Sequence, residues 1–508
     1  MTERQSLTRN VVSNWLVLAG SGIYALAITP FVVRTLDTEL YGIWSFLNGL
    51  LAYAEMFYLD LGVAYVKYVA QFVARTDQPA IRRLARVIAT LYSVQGAAAF
   101  ALLLWLGAVL PDVFAEPLSA EATNSAQLTC ALLGVRVWLM FIATVYSGLL
   151  CGHDRFDLVN GVHLSALGAR LVATPLLLDR GHDPLLTMAW IAAGLGAGEA
   201  VAFGIVVWRH VGGITILPAR PAWSELGRLY GFGLRSMFIL LAIKLINYTD
   251  TTVVGVTLGA ASVAVFALPL QLVEYARLVV GGFVGVLLPR VERLTLRQEA
   301  NAVRETYLQT ARVACFLAGW LSALLIAVGP SFLTRWVGPE YGSPAQWVLV
   351  YLSLAMFGQV LSAQMPLPFY QAMHVLTVPA IVLMVEAGLN LALSLWLAPR
   401  LGLTGVALAT AIPAFAVGLI VLPRYLCRRL GLPLSTWLRR SVLPGVLMLI
   451  ATVSSLTALS ALLDSDSYTT IAILLVSTLP VALAVIHWTF PADERQIVWE
   501  RIRGSRPR

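Results

Sequence analysis

The sequence predicts an all-α protein that crosses a membrane about fourteen times. Of its 508 residues 59% are hydrophobic and only 12% are charged, and the mean hydropathy is +0.79. Soluble domains carry about 25% charged residues, so this chain has too few charges to cover a water-facing surface of its size. Apolar runs of about 20 residues, the length of one membrane crossing, recur along the whole chain. Arginines cluster in the short segments between alternate runs, as in polytopic membrane proteins.

The predicted spans follow one another through short connections. They lie near residues 11–34, 41–67, 86–110, 126–151, 156–178, 184–208, 229–256, 261–288, 306–330, 345–371, 375–398, 402–426, 440–463 and 468–490. The longest polar stretches, near 111–124, 209–228, 290–305 and 491–508, leave no room for a soluble catalytic domain. The first span could also be read as a signal peptide that ends at Ala25-Leu26-Ala27. Its apolar run continues to Val33, which favours a membrane helix.

The basic residues predict the orientation of the spans. With the N-terminus inside, the inner segments hold about 25 of the 35 basic residues, as the positive-inside rule requires. The outer loops hold only Arg34, Arg180, Arg335 and Arg400. Both termini are therefore predicted to be cytoplasmic, with 491–508 as a basic tail. The net charge of +8 follows from this topology, because a nucleic-acid-binding surface would concentrate its charge on one polar stripe or domain.

A weak internal repeat recurs at an offset of 222 residues. This offset aligns Thr35-Leu36 with Thr257-Leu258, Tyr53 with Tyr275, and Arg75 with Arg297. It spans six predicted helices, an even number, so both copies enter the membrane in the same sense and form a parallel repeat. The predicted organisation is a six-helix bundle over 1–210, a second over 211–430 and two appended helices over 431–490.

Three stretches of the chain share motifs with one known family. They are Pro30-Phe-Val-Val-Arg34-Thr-Leu-Asp-Thr-Glu-Leu-Tyr41-Gly42 followed by Asp60-Leu-Gly62, Asp250 followed by Gly255 and Gly259, and Asn390-Leu-Ala-Leu-Ser-Leu-Trp-Leu-Ala-Pro399-Arg-Leu-Gly402 followed by Gly405. Over about residues 10–425 the chain resembles the polysaccharide flippases of the multidrug/oligosaccharidyl-lipid/polysaccharide exporter superfamily. The glycine that usually follows Leu36 in that family is Asp37 here.

The resemblance implies a transporter of the bacterial inner membrane that serves surface polysaccharide (lipopolysaccharide) biosynthesis. Two bundles would alternate access to a central cavity lined mainly by spans 1, 2, 7 and 8. The implied cargo is an undecaprenyl-pyrophosphate-linked oligosaccharide, and the implied partners are the lipid bilayer, this cargo and other polysaccharide assembly proteins. No catalytic residue, cofactor, metal or nucleic acid is expected.

Ionisable residues inside the predicted spans identify candidate functional sites, because each costs about 2.5–3.5 kcal/mol at mid-membrane and by default marks a pathway. They are Glu55, Asp60, Arg136, Arg170, Glu199, Arg235, Lys244, Asp250, Glu274, Arg277, Arg312 and Glu386. Arg277, Lys244 and Arg235 are the candidate pyrophosphate site, since basic side chains match phosphate oxygens. Glu55, Asp60, Asp250 and Glu274 are candidate gate or cavity charges.

Other interpretations of these charges remain open at this stage. Glu274 could pair with Arg277 three residues later on the same helix, or Glu55 could pair with Arg277 as a gate, because the repeat places the two at equivalent positions. Arg235 could reach the interface. Arg136, Arg170, Glu199 and Glu386 are expected to form helix-packing pairs, and Arg312 is expected to extend to the interface. Gln359, Gln364 and nearby prolines predict a polar, kinked span 10.

Two other functions compete with the flippase interpretation. One is a Na⁺- or H⁺-coupled drug or small-molecule antiporter of the same fold, and the other is a membrane-embedded polysaccharide polymerase or ligase. A polymerase or ligase would need a sizeable outer loop bearing Arg and His, whereas the predicted outer loops are short and acidic. A P-loop sequence and an H-E-x-x-H motif are both absent from the sequence, and the four dispersed cysteines predict neither a disulfide framework nor a zinc site.

Overall fold

The computed structural model describes residues 3–54, 56–178, 183–212, 223–285, 287–462, 467–492 and 495, and the described part is helical with short turns and no strand. The helices are α1 (Glu3–Ala54), α2 (Met56–Ala74), α3 (Gln78–Val113), α4 (Ala120–Gly152), α5 (Phe156–Leu178), α6 (Pro184–His210), α7 (Trp223–Leu258), α8 (Ala260–Gly285), α9 (Leu288–Leu296), α10 (Ala300–Trp336), α11 (Pro339–Gln359), α12 (Leu367–Ala372), α13 (Thr377–Ala416), α14 (Leu422–Leu430), α15 (Leu434–Trp437), α16 (Leu443–Ser460) and α17 (Tyr468–Thr489). Three π-helical turns interrupt them at Val360–Gln364, Val417–Val421 and Leu438–Val442.

Twelve helical stretches of the described residues are long and apolar enough to cross a membrane. Two of them, Val12–Tyr53 and Thr377–Leu430, contain 42 and 54 residues, about twice what one crossing needs. Each is interrupted by one residue with a left-handed backbone, Asp37 in the first and Gly402 in the second, both at φ 59°. Each stretch therefore supplies two spans, and the predicted multi-pass all-α fold of about fourteen helices is confirmed in the described chain.

The backbone repeats at the offset that the sequence indicates. Asp37 and Gly259, 222 residues apart, both have positive φ, at 59° and 87°. Thr76 and Gln298, again 222 apart, have φ of 55° and 58°, and the amide of each donates to the carbonyl three residues earlier at 3.0 Å. Positive φ favours glycine, which explains why a glycine is usual where this chain has Asp37. The Asp37 carboxylate accepts the Leu40 amide at 3.0 Å, which ties the side chain to the start of the next helical segment.

The chain divides by packing into two compact units, Met1–Ala264 and Val265–Arg508. In the first unit α4 packs against α3 and α6, α5 packs against α1 and α6, and α7 packs against α1 and α2. In the second unit α10 packs against α11 and α16, α13 packs against α11, and α17 packs against α16. The boundary between two six-helix bundles at residue 210, which the sequence repeat suggests, stays a prediction.

Glycines set the closest helix approach in the second unit, between α10 and α16. A Cβ on Gly319 would overlap the backbone carbonyl of Gly445, and a Cβ on Gly445 would overlap that of Cys315. We expect Gly319→Ala to lower the free energy of unfolding by about 1–3 kcal/mol, because a backbone neighbour cannot swing aside. Thermal unfolding in detergent measures the change. Gly388→Ala is the matched control, since a Cβ there meets nothing within 4 Å, and equal unfolding temperatures for both variants would contradict the packing argument.

Candidate functional site

In the second unit α8 carries a charged pair that a side chain of α11 completes. Arg277 Nη1 donates to Glu274 Oε1 at 2.6 Å, and Arg277 Nη2 donates to Gln359 Oε1, also at 2.6 Å. The side chains of Arg277 and Glu274 are 15% and 30% exposed, so the pair is partly dehydrated and stronger than a surface pair. The structure thus forms the intrahelical pair, and Gln359 fixes the plane of the guanidinium.

A π-helical turn brings a second amide of the same span to this pair. Gln359 ends α11, the turn Val360–Gln364 follows, and Gln364 Nε2 donates to the backbone carbonyl of Arg277 at 2.9 Å. One helical turn along α8, a Cβ on Gly281 would lie 2.6 Å from Gln364 Nε2, so the glycine makes room for the amide. π-Turns are frequent at functional sites. The polar, kinked span 10 predicted from the sequence is therefore present, and it positions Arg277.

In the first unit a polar and aromatic cluster joins α1 to α7. The Lys244 ammonium lies 5.1 Å from the centroid of the Tyr248 ring, and the Tyr53 hydroxyl lies 3.1 Å from the Thr249 hydroxyl. The rings of Tyr53 and Tyr248 meet edge to face at 6.3 Å. Asp250 follows at once and is 1% exposed. Lys244 and Asp250 each take part in further interactions.

Three predicted site residues cannot be placed by their side chains. Glu55 lies outside the described residues, and for Asp60 and Arg235 only the helical backbone is described. The Glu55–Arg277 gate therefore stays a prediction. Within the described chain, Arg277 is already paired with Glu274. To form the gate, Arg277 would have to leave Glu274 and pair with Glu55.

One of the remaining charges differs from the sequence prediction, and another forms the helix-packing pair that was expected of it. Arg312 is 3% exposed, its Nε donates to the Arg440 carbonyl at 2.6 Å, and its guanidinium lies 5.6 Å from the Phe490 ring centroid. The prediction that it extends to the interface is wrong, because the π-helical turn Leu438–Val442 supplies a backbone acceptor to the buried arginine. Glu199 pairs with His163, at 2.6 Å between Oε1 and Nδ1, a partner that the sequence analysis missed because the two lie on different helices.

Glu386 on α13 is buried without a hydrogen-bond partner. It is 1% exposed, and neither carboxylate oxygen accepts a hydrogen bond within the described chain. One turn later, Asn390 Nδ2 donates to the Thr410 hydroxyl at 2.8 Å, while Asn390 Oδ1 also lacks a donor. The unsatisfied acceptors of these two side chains are therefore buried and lie one helical turn apart. The packing pair expected for Glu386 is not formed with any described residue.

We expect Glu386→Gln to raise the unfolding temperature. The substitution replaces a buried acid that has no hydrogen-bond partner within the described chain with an amide, which supplies a donor one turn from the unsatisfied Asn390 Oδ1. Thermal unfolding in detergent at neutral pH measures the shift. A carboxylate held in an ion pair would instead lose about 3–5 kcal/mol on neutralisation, so a large fall in unfolding temperature would contradict this description. Asn390→Ala, which deletes the bond to Thr410, is expected to lower it.

Comparisons with known proteins agree with this fold. Over 517 residues the chain is 21% identical to the "Uncharacterized membrane protein EpsK" of Bacillus subtilis, covering 98% of both chains. Over 416 residues it is 22% identical to the "Putative O-antigen transporter" of Shigella flexneri, covering 80% of this chain and 94% of the relative. No protein-family model matches the chain.

Two solved structures share the arrangement of helices. The lipid II flippase MurJ in an inward closed conformation aligns with a TM-score of 0.68 at 14% identity, covering 94% of this chain and 97% of its own. An inward-facing multidrug resistance MATE family transporter of the MOP superfamily aligns with a TM-score of 0.67 at 16% identity, covering 80% and 94%. The resemblance inferred from the sequence is confirmed at the level of the fold, and the chain is a multi-pass membrane protein.

Proposed function

We propose that this protein is an alternating-access flippase. It moves an undecaprenyl-pyrophosphate-linked oligosaccharide from the cytoplasmic to the outer leaflet for surface polysaccharide biosynthesis, and it catalyses no covalent chemistry. The observation that carries this proposal is the extent of similarity to the Shigella flexneri relative named an O-antigen transporter, which reaches 94% of that protein's length. The fold shared with a lipid II flippase supports it, because that alignment includes 94% of the present chain, whereas the MATE alignment includes 80%.

Basic side chains within the spans suit such a cargo. Arg277 is oriented by Glu274 and Gln359, and Lys244 is held over an aromatic ring, so neither long side chain has to be ordered anew when an anion arrives. Pre-ordering of this kind lowers the entropic cost of binding. Arg277, Lys244 and Arg235 are proposed to contact the pyrophosphate. Glu55, Asp60, Asp250 and Glu274 are proposed to balance their charge when no cargo is bound.

A reconstituted transport assay tests this function. Proteoliposomes containing a fluorescent polyprenyl-pyrophosphate oligosaccharide are exposed to a membrane-impermeant reductant, which quenches only the outer leaflet. We expect the protein to make the inner-leaflet pool accessible, whereas protein-free liposomes retain it. The same vesicles under a Na⁺ or H⁺ gradient should not accumulate ethidium. Ethidium transport without flipping would favour the drug antiporter instead.

We further propose that the protein lies in the bacterial inner membrane with both termini in the cytoplasm. Reporter fusions after Asp77 and Arg429 should give the cytoplasmic signal, and fusions at Glu116 and Asp183 the periplasmic one, because arginine-rich segments remain inside. Fusions at Arg220 and Asp464, which lie outside the described residues, extend the series. A single fusion that reports the opposite side would show that the predicted number of spans before it is wrong.

A further inference from the structure

Five exposed arginines lie where one apolar stretch of the second unit ends and the next begins. The two stretches are Thr377–Leu430 and Leu434–Ser460. The arginines, which we refer to as the arginine patch, are Arg424, Arg428, Arg429, Arg439 and Arg440. No aspartate or glutamate occurs between Glu386 and Asp464, so this part of the chain contains no carboxylate that could neutralise them.

Another arginine-rich segment of the same unit, over residues 288–305, is nearly neutral. It contains four arginines and three glutamates, namely Arg290, Arg293, Arg297, Arg304, Glu292, Glu299 and Glu305. Basic residues at the ends of spans set the orientation of a membrane protein, and acidic residues beside them matter little. Orientation alone therefore does not explain why the arginine patch lacks acidic residues, and an anion outside the chain would explain it.

Three side chains of the patch are not engaged by the protein. Those of Arg424, Arg428 and Arg439 make no hydrogen bond, ion pair or ring contact with any described residue. Arg424 and Arg428 are four residues apart, so they share one face of α14 and lie about 6 Å apart along its axis. The other face of α14 is buried at Leu426 and Leu430. The guanidinium groups of this helix therefore point away from the packed interior.

The turn between the two halves of the patch is held in one conformation. Gly431 ends α14 with a left-handed backbone at φ 64°, and its amide donates to the Arg428 carbonyl at 3.2 Å, as is common at helix C-termini. Arg304 of α10 donates to the Leu430 carbonyl, and Trp437, just before the second half, is fully buried. An ordered backbone thus carries the arginines, which lowers the entropic cost of binding a ligand.

Exposed apolar side chains border the patch on both sides. Ile420 and Val421 lie just before α14, and Leu438 and Leu443 flank the second pair of arginines. In a membrane such side chains face the lipid chains, and arginines within a turn or two of them extend to the headgroups. A water-soluble acidic partner would have to cover this apolar border, whereas a phospholipid has both a charged headgroup and apolar chains.

We propose that the arginine patch binds the anionic headgroups of membrane phospholipids. Guanidinium groups bind phosphate oxygens in a bidentate manner, and clusters of about four to eight basic residues beside a membrane span are typical of binding to anionic lipids. The patch contains none of the residues proposed to contact the cargo. Lipid binding is therefore measured without a transport assay, and its outcome does not depend on the flippase function.

Thermal unfolding of the delipidated protein in dodecyl maltoside tests the proposal. Dioleoyl phosphatidylglycerol should raise the unfolding temperature by about 3 °C or more at saturation, whereas dioleoyl phosphatidylcholine, with the same acyl chains, should not. About 1 M NaCl, at which the Debye length is only about 3 Å, should abolish this difference in the unaltered protein. A difference that persists in full would overturn the proposal.

Sodium glycerol phosphate is the second arm, because it carries the phosphate charge without acyl chains. We expect no stabilisation by this compound at the concentrations at which phosphatidylglycerol acts. Equal stabilisation by both would identify a soluble phosphate as the ligand and would overturn the assignment to a lipid.

A triple variant decides whether the patch is responsible. Arg424→Gln/Arg428→Gln/Arg439→Gln removes three charges, and no side-chain contact with a described residue is lost. Each basic residue near an anionic surface strengthens binding by a factor of about five. We therefore expect the phosphatidylglycerol concentration for half-maximal stabilisation to rise at least about tenfold.

The matched control is Arg290→Gln/Arg293→Gln/Arg297→Gln. It removes the same number of exposed charges from the same unit, but from the segment that also contains glutamates. Its response to phosphatidylglycerol should equal that of the wild type. Equal shifts in the two triple variants would indicate attraction by net charge alone, and this result, like an unshifted patch variant, would overturn the proposal.

Discussion

Arg277→Gln is expected to lower the initial flipping rate of the pyrophosphate-linked oligosaccharide at least about tenfold while the protein remains folded. A hydrogen bond between charged groups contributes about 1.5–3 kcal/mol, and 1.36 kcal/mol corresponds to one factor of ten. Arg277 has the Nη1 and Nη2 donors already aligned by Glu274 and Gln359, so glutamine cannot reproduce the planar fork. The rate is measured in proteoliposomes of equal protein content.

Arg297→Gln provides the matched control for this experiment. It removes a guanidinium from the same unit, but one whose side chain is 72% exposed and 3.9 Å from its carboxylate partner Glu299. We expect its flipping rate to equal that of the wild type, and Arg277→Lys to fall between the two because it keeps the charge. Lys244→Gln should also slow flipping. A double variant Arg277→Gln/Lys244→Gln that flips at the full rate would disprove the role of both residues in cargo binding.

Arg312→Leu is expected to lower the unfolding temperature more than any other substitution considered. The arginine is 3% exposed, and its Nε donates at 2.6 Å to the Arg440 carbonyl, where the π-helical turn Leu438–Val442 precedes α16. Its removal ends the hydrogen bond to this carbonyl and the contact with the Phe490 ring. The loss of a charged hydrogen bond alone is worth about 1.5–3 kcal/mol. Thermal unfolding in detergent measures the effect.

Arg440→Gln is the matched control, because it changes the side chain of the acceptor residue and keeps its backbone carbonyl. The Arg440 side chain is exposed, and Arg312 Nε donates to its backbone oxygen. The substitution keeps that oxygen, so we expect an unchanged unfolding temperature. If Arg312→Leu were as stable as Arg440→Gln, this hydrogen bond would not hold α10 to the π-helical turn before α16, and Arg312 would be dispensable for packing.

The fold could be predicted from the sequence because its signals are local or strictly periodic. Apolar runs predict helices because backbone groups cannot be left unpaired in lipid. The 222-residue offset recurs as positive φ angles at Asp37 and Gly259 and at Thr76 and Gln298.

The partners of the buried charges could not be predicted, because they depend on distant helices. Glu274 was identifiable as a partner of Arg277 from spacing alone, whereas Gln359 lies 82 residues further along the chain. Arg312 was expected at the interface because nothing in its own helix offers an acceptor, and the acceptor is a backbone carbonyl 128 residues away. Backbone carbonyls occur at every position, so sequence carries no signal for such a bond.

If this transporter selects its lipid by the pyrophosphate, two cargoes that differ only in that group should be moved at different rates. One fluorescent oligosaccharide is attached to the same polyprenyl chain either through pyrophosphate or through an uncharged ether, and the flipping rates are measured in the same proteoliposomes. We expect the pyrophosphate-linked cargo to move at least about tenfold faster, because the ether-linked cargo loses at least one charged hydrogen bond. Equal rates for the two lipids would contradict it.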